Sequence, residues 1–363
     1  MKHRRAIPLV FALALVGAAC TPGGAATTPP GSPAGSAPIA GSPDASAPVG
    51  SPDAPSPSAG MGGEMPDELV IGFVPSREAD ALVETIQPVA DYLSEQLGIP
   101  VEGVVTTDYT GLVTAMESDQ AHIGAFGPFS LLQARDRAQA EIILQSERFG
   151  SATYHTQFMT NNPDAYCDDE PVEIEAEIDD VPVTFLNCNG TADASEGPVA
   201  EEKIASIPEG TTFSFVEQAS ASGYIFPATV LINNGIDHET GITPLFAGSH
   251  DASVIAVCNG DAEVGAAFDD ARTAAETECD VSSEVVVFAY GPEIPNDGWA
   301  VAGDLPQELK DQIKQALLDY SASEDGAQVL NDIYEIDALV EADLDAFTIV
   351  EQAAAELGIT GDD

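Results

Sequence analysis

Thr212-Phe213-Ser214-Phe215-Val216-Glu217-Gln218-Ala219-Ser220-Ala221-Ser222-Gly223-Tyr224 reads as a β-strand, a tight turn of small hydroxyl residues and the first turn of a helix. The helix continues over Ile225 to Ile232 with Pro227 near its start. Free backbone N–H groups and the positive end of a helix dipole meet at such a junction, and Ser220 and Ser222 add hydroxyl donors. The segment therefore suits an anion, although an ordinary serine N-cap has the same composition. An anion is an unexpected guest, because the chain has 61 acidic and 11 basic residues and a net charge of −50.

Outward from this turn, short apolar runs alternate with helical spacing. Leu69 to Val74 reads as a buried strand. Leu82, Ile86, Val89, Leu93 and Leu97 recur at helical spacing, with Pro88 restarting or kinking that helix. Further strands are expected at Val101–Thr106, His122–Phe126, Ile142–Gln145, His155–Thr160, Val264–Phe268 and Val285–Tyr290. Leu309, Ile313, Ala316 and Leu317 mark a late helix, with more helical sequence from Gly326 to Leu357. Alternating β and α segments imply an α/β fold with ligands at the strand C-termini. The body is long enough for two lobes.

The N-terminus directs the chain out of the cytoplasm. Lys2, Arg4 and Arg5 form a basic start, and Ala6 to Ala19 is an apolar run too short for a membrane span. Val16-Gly17-Ala18-Ala19-Cys20 resembles a bacterial lipobox, with Cys20 as the lipidated first residue of the mature chain. Residues 1–19 are then a signal peptide, and their loss takes the net charge from −50 to −53. Residues 20–66 are the anchor and a tether of Pro, Gly, Ala, Ser and Thr in which Gly-Ser-Pro recurs at 31–33, 41–43 and 50–52. No core can form from this composition. As a flexible coil the tether spans roughly 35–40 Å. No output domain or second apolar span follows Cys20, which argues against a signalling receptor.

Cys167 and Cys188, and likewise Cys258 and Cys279, stand 21 positions apart. An exported chain oxidises such residues, and the sequence-local pairing is the expected one of three. No C-x-x-C or close His pair suggests zinc, so no metal site and no cofactor is expected. The acids are dispersed and no basic patch exists, which excludes nucleic acid as a partner. A high-salt exterior fits this charge best, since salt screens self-repulsion.

The segments Ile71-Gly72-Phe73-Val74-Pro75, Asp108-Tyr109-Thr110-Gly111-Leu112-Val113, Ile123-Gly124-Ala125-Phe126-Gly127-Pro128-Phe129-Ser130, Ser220-Ala221-Ser222-Gly223, His250 and Ile294-Pro295-Asn296-Asp297 follow in a specific order. From about 68 to 358 the chain resembles the solute-binding proteins of phosphonate, phosphite and phosphate ABC transporters. The resemblance implies a two-lobed class II periplasmic-binding fold, with mixed, mainly parallel sheets, flanking helices and a two-segment hinge. It places lobe 1 in 67–157 and 292–363 and lobe 2 in 158–291. It implies a phosphorus oxyanion as ligand, an ABC permease as partner and no enzymatic activity.

Residue by residue, the resemblance implies that Tyr109 reaches the ligand from lobe 1 and Tyr154 from near the first crossover. Ser220, Ala221, Ser222 and Gly223 cradle the oxyanion, with Ala221 where the family has a hydroxyl. His250, 30 positions after Ser220, donates to the same oxyanion and is the one titratable cation expected there, while Arg148 and Arg272 stay unassigned. Asp270 stands where aminophosphonate binders have a glutamate for the amine, and Asp297 serves an amine or a protonated oxyanion. The stretch 163–206 reads as an insertion away from the cleft. Two other uses of these residues are open to the sequence. Tyr109, Tyr154, His250 and an aspartate suit ferric iron, as in transferrin-like binding proteins. A Ser220–His250–Asp270 hydrolase triad lacks the Gly-x-Ser-x-Gly frame.

Overall fold

The computed structural model describes residues 65–178, 181–191, 198–275 and 279–361. The predicted signal peptide, Cys20 and all but the last two residues of the tether lie outside the described residues. Among the described residues no helix is long and apolar enough to cross a membrane.

The chain runs through β1 (Leu69–Phe73), α1 (Ala79–Thr85), α2 (Gln87–Leu97), β2 (Val101–Val105), α3 (Tyr109–Glu117), β3 (Ile123–Phe126), α4 (Pro128–Arg137) and β4 (Glu141–Glu147). It continues with β5 (Thr153–Thr160), α5 (Pro163–Tyr166), β6 (Val172–Ile178), β7 (Val181–Asn187), β8 (Thr212–Phe215), α6 (Phe226–Asn233), β9 (Thr243–Phe246), α7 (His250–Cys258), β10 (Val264–Phe268), α8 (Arg272–Ala275), α9 (Val281–Glu284) and β11 (Val286–Pro295). It ends with β12 (Gly298–Val301), α10 (Gln307–Ser321), α11 (Glu324–Tyr334), β13 (Ala338–Glu341) and α12 (Thr348–Glu356).

Two sheets result, one of six strands in the order β13-β4-β12-β3-β1-β2 and one of seven in the order β6-β7-β11-β5-β10-β8-β9. The chain crosses from the first to the second between β4 and β5, and returns through Asn296 and Asp297 between β11 and β12. Each crossing is a direct strand-to-strand passage, so the strands beside it run against their neighbours. Among the described residues six strand pairings are antiparallel and five parallel, a less parallel arrangement than the β–α alternation suggests. The crossings are tied together. Asn296 N–H donates to the Ala152 carbonyl at 2.8 Å, and Asn296 Nδ2 to the Ser151 carbonyl at 3.0 Å.

Local sequence explains the main elements. Pro88 sits in the first turn of α2, where its missing N–H is not needed, so the periodic stretch divides into α1 and α2. Leu69, Ile71 and Phe73 are fully buried, and Phe73 meets the buried Trp299 edge-on at 5.9 Å. A Cβ on Gly72 would lie 2.1 Å from Leu112 Cδ1, so glycine is what lets α3 pack onto β1. Asp108 caps α3 through Gly111 N–H at 2.6 Å.

Residues 163–206 yield, in their described parts, the hairpin β6–β7, which extends the seven-stranded sheet through β7 beside β11. Both cystine bridges take the sequence-local pairing, with Cα atoms 5.1 Å apart for Cys167–Cys188 and 6.5 Å for Cys258–Cys279. Every lysine and arginine among the described residues lies within an ion pair with an acid.

Candidate functional site

Four helices begin at one cavity between the sheets. Tyr109 opens α3, Gly127 and Pro128 open α4, Ser220 to Ser222 open the helix leading into α6, and His250 opens α7. Their positive ends supply partial charge, and the uncapped N–H groups of α4 and of the 221–225 turn supply donors. The cavity is small, about 20 Å³.

The 221–225 turn is wider than an α-turn, with Ile225 N–H donating to Ser220 O at 3.0 Å. Ser220, Ala221 and Ser222 are buried in the cavity wall. Gly223 is not in that wall. Its N–H donates to Ser220 Oγ at 3.1 Å, and a Cβ there would lie 2.4 Å from Val216 Cβ. Gly223 thus serves close packing of the turn, and its N–H is already used.

Tyr109 and Tyr154 line the cavity from the two sheets. Burial raises both phenols well above their usual value. The Ser222 side chain beside the Tyr154 hydroxyl partly offsets that rise. Tyr109 Oη is buried with no hydrogen-bond partner in the protein. A buried hydroxyl of this kind calls for a partner, and an acceptor oxygen in the cavity would supply one.

His250 is also in the wall, but not as a cation. Its Nδ1 accepts from Phe268 N–H at 3.1 Å, so the ring proton is on Nε2, 3.4 Å from Ser220 Oγ. Burial, then Arg148 and Arg77, push its pKa down to about 3. His250 is a neutral donor, correcting the sequence expectation.

The cations are two arginines. Arg148, on the first crossing, pairs through Nη2 with Asp297 and reaches Asn296 Oδ1 through Nη1 at 3.3 Å. Its Nε is buried with no partner. Arg77 lies 2.9 Å from Glu335. Ser76, Val74, Phe268 and Tyr334 complete the wall, with Tyr334 Oη donating to Val74 O at 2.5 Å. Sequence reasoning missed Arg77, Ser76 and Tyr334. For Arg148 a signal existed, since a basic residue is rare in this chain.

Asp297 lines the cavity as expected, but Asp270 does not. Its carboxylate binds the fully buried Arg272 through Nε and Nη2, at 2.9 and 2.6 Å. That guanidinium also donates to Leu186 O and Asn187 Oδ1 and stacks over Phe185 at 4.7 Å, pinning the β6–β7 hairpin. A buried guanidinium requires its counter-charge, so Asp270 is spent on the fold. Its neighbour Asp269 faces a second chamber of about 310 Å³ beside the crossing. That chamber shares Arg148, Tyr154 and Phe268 with the first. None of the described residues of 163–206 lines the cavity.

The two lobes touch around the cavity. His250 N–H donates to Ser76 O at 3.1 Å and Thr273 Oγ1 to Glu335 Oε1 at 3.0 Å. At the back, Thr229 Oγ1 donates to Ala353 O of α12 at 3.2 Å.

The arrangement does not favour ferric iron. Iron needs tyrosinates, and burial holds both phenols protonated, while two guanidiniums repel a cation. Among the described residues no three His, Cys, Asp or Glu side chains cluster as metal ligands.

Comparisons with known proteins identify the family. The family model of ABC transporter, phosphonate, periplasmic substrate-binding protein matches residues 71–347. The phosphate-import protein PhnD of Mycolicibacterium smegmatis is 27% identical over 214 residues, which span 56% of this chain and 56% of that one. A probable ABC transporter phosphite-binding protein PhnD1 of Prochlorococcus marinus is 21% identical over 299 residues, 80% of this chain and 90% of that one. A solved structure of PhnD1 from Prochlorococcus marinus in complex with methylphosphonate superposes with a TM-score of 0.63 at 20% identity, covering 80% of this chain and 98% of that one. The fold is that of the type II periplasmic binding proteins, and the chain belongs to the phosphonate periplasmic substrate-binding proteins of ABC transporters.

Proposed function

We propose that this protein captures a small phosphorus oxyanion outside the cytoplasm and delivers it to an ABC importer. The observation that carries this reading is convergence. Ser220, Ser222, His250, Tyr109, Tyr154 and Arg148 stand on elements of both lobes and on the first crossing, and all present donors to one cavity of about 20 Å³. Among the described residues Asp297 is the single carboxylate in that wall, and it would accept the proton of a partly protonated oxyanion. These donors suit the oxygens that phosphate, phosphite and methylphosphonate have in common. The expected lobe limits at 157/158 and 291/292 fall inside β5 and β11, so lobe 1 is read as 67–152 with 296–363 and lobe 2 as 153–295, and Cys20 is read as a lipid anchor to the outer face of the membrane. The excess of acid is read as an adaptation to a salty exterior.

Isothermal calorimetry with phosphate, phosphite, methylphosphonate and sulfate tests the reading. One of the three phosphorus oxyanions binds tightly, and Ser222→Ala weakens it by about ten- to a hundredfold, the worth of one hydrogen bond to a charged group. Binding of ferric iron with a tyrosinate colour, or of none of the three, refutes it.

A further inference from the structure

One carboxylate at the lobe junction has no part in the cavity wall. Glu217 follows β8 in the second sheet, three residues before Ser220. Its carboxylate is faced by two backbone N–H groups, that of Ala219 in its own turn and that of Tyr109, the first residue of α3 on the other sheet. The N-terminus of α3 is therefore met from two directions. Asp108 caps it from its own lobe, and Glu217 reaches it from the opposite one. Tyr109 is 2% exposed, and its phenol stands in the cavity wall.

The surroundings of Glu217 are unusual for an ionised group. Glu217 Oε2 is buried with no hydrogen-bond partner. Its charged neighbour is Asp108, of like sign, and its titratable neighbour on α3 is the Tyr109 phenol. Gln218, Ala219 and Ser220 in its own turn carry no charge. The α3 dipole and two N–H groups favour the anion, while a dry oxygen and a second carboxylate oppose it.

We propose that Glu217 is a positioning residue that docks the second lobe onto the first turn of α3, sets Tyr109 against the ligand and takes up a proton as the lobes close. The proposal rests on the oxyanion reading of the cavity. Opening the cleft separates Glu217 from α3 and returns it to water, where a glutamate ionises near 4.5. In the closed molecule burial, then Asp108, push the carboxyl up to about 7. The closed state thus binds more protons than the open one between those values. Closure strengthens as pH falls through this window and weakens as pH rises toward 7 and above. With the open state fully hydrated, linkage gives at most roughly a thirtyfold loss of affinity between pH 5.5 and 8.

Glu217→Gln tests this with methylphosphonate as the probe. Glutamine keeps an acceptor oxygen facing the two N–H groups and removes the charge, so it imitates the protonated acid. Methylphosphonate titrates in the same range, but its own titration cancels in the ratio of wild-type to variant Kd. That ratio is expected to rise by up to roughly thirtyfold between pH 5.5 and pH 8. Calorimetry in buffers of different ionisation heat is expected to show proton uptake in the wild type that the variant lacks. Glu217→Ala is expected to weaken binding several-fold at every pH, because the dock on Tyr109 is gone. A purely structural glutamate would leave the two pH profiles parallel, and parallel profiles overturn the proposal. Absence of methylphosphonate binding by the wild type, together with binding of neither phosphate nor phosphite, overturns the oxyanion reading and this proposal with it.

Discussion

Arg148→Met removes a guanidinium and keeps a side chain that fills most of its volume. In the native protein Arg148 and Asp297 pair while retaining 11% and 17% side-chain exposure. Removing one member of a fully buried pair costs about 3–5 kcal/mol. Discounted for that exposure, the expected loss of stability is about 2–3 kcal/mol. Affinity falls for a separate reason. Arg148 Nε is a buried donor without a protein partner, and a hydrogen bond from it to an oxyanion is worth about 1.5–3 kcal/mol, a loss of roughly ten- to a hundredfold. The two effects separate in a double mutant. Adding Asp297→Asn removes the uncompensated charge and restores most of the stability, while the affinity stays low. Urea unfolding reads the first quantity and calorimetry with methylphosphonate the second. If Arg148→Met bound with wild-type affinity, the oxyanion would not lie against Arg148, and the cavity described here would not be the ligand site.

Three further expectations follow from the same geometry. Gly223→Ala forces a methyl to within 2.4 Å of Val216, so it is expected to lower stability by about 1–3 kcal/mol and to weaken binding through the displaced serines, both readable in one thermal-shift titration. His250 is neutral when folded. Its contribution to stability is complete above its ordinary pKa of 6.5 and is lost as pH falls from there toward about 3, so His250→Gln is expected to flatten the stability–pH curve in that window; an unchanged slope contradicts a buried neutral imidazole. Cys20→Ser is expected to move the protein from the membrane fraction to the medium, and full retention on membranes refutes the lipid anchor.

The strand–turn–helix at 212–232 was legible because its signals are local. An apolar run, a small-residue turn and a proline near the helix start all point the same way. The same holds for α1 and α2, where Pro88 states the break. Arg77 and Tyr334 left no such signal, since Tyr334 meets Val74 only after 260 residues of chain. The assignment of Asp270 to the ligand illustrates a different limit. Adjacent residues point in different directions, and which one faces the cleft depends on Arg272, whose burial sequence alone does not reveal. The β6–β7 hairpin shows Val172-Glu173-Ile174-Glu175-Ala176 alternation, a strand signal obscured by its acids. Treating His250 as a cation failed for an energetic reason, since burial penalises the charged ring and two nearby guanidiniums oppose it further.

The complete pairing of lysine and arginine with acids makes the described body resemble a cation-exchange resin. Its outer charge is almost wholly fixed carboxylate, so its counter-ions are the cations of the medium. An arriving oxyanion crosses that cation-rich layer before it meets the cavity. The identity of the salt therefore matters as well as its concentration. A divalent cation that condenses on the carboxylates, and pairs with phosphate in solution, acts on both partners of the encounter, whereas a monovalent one acts chiefly by screening.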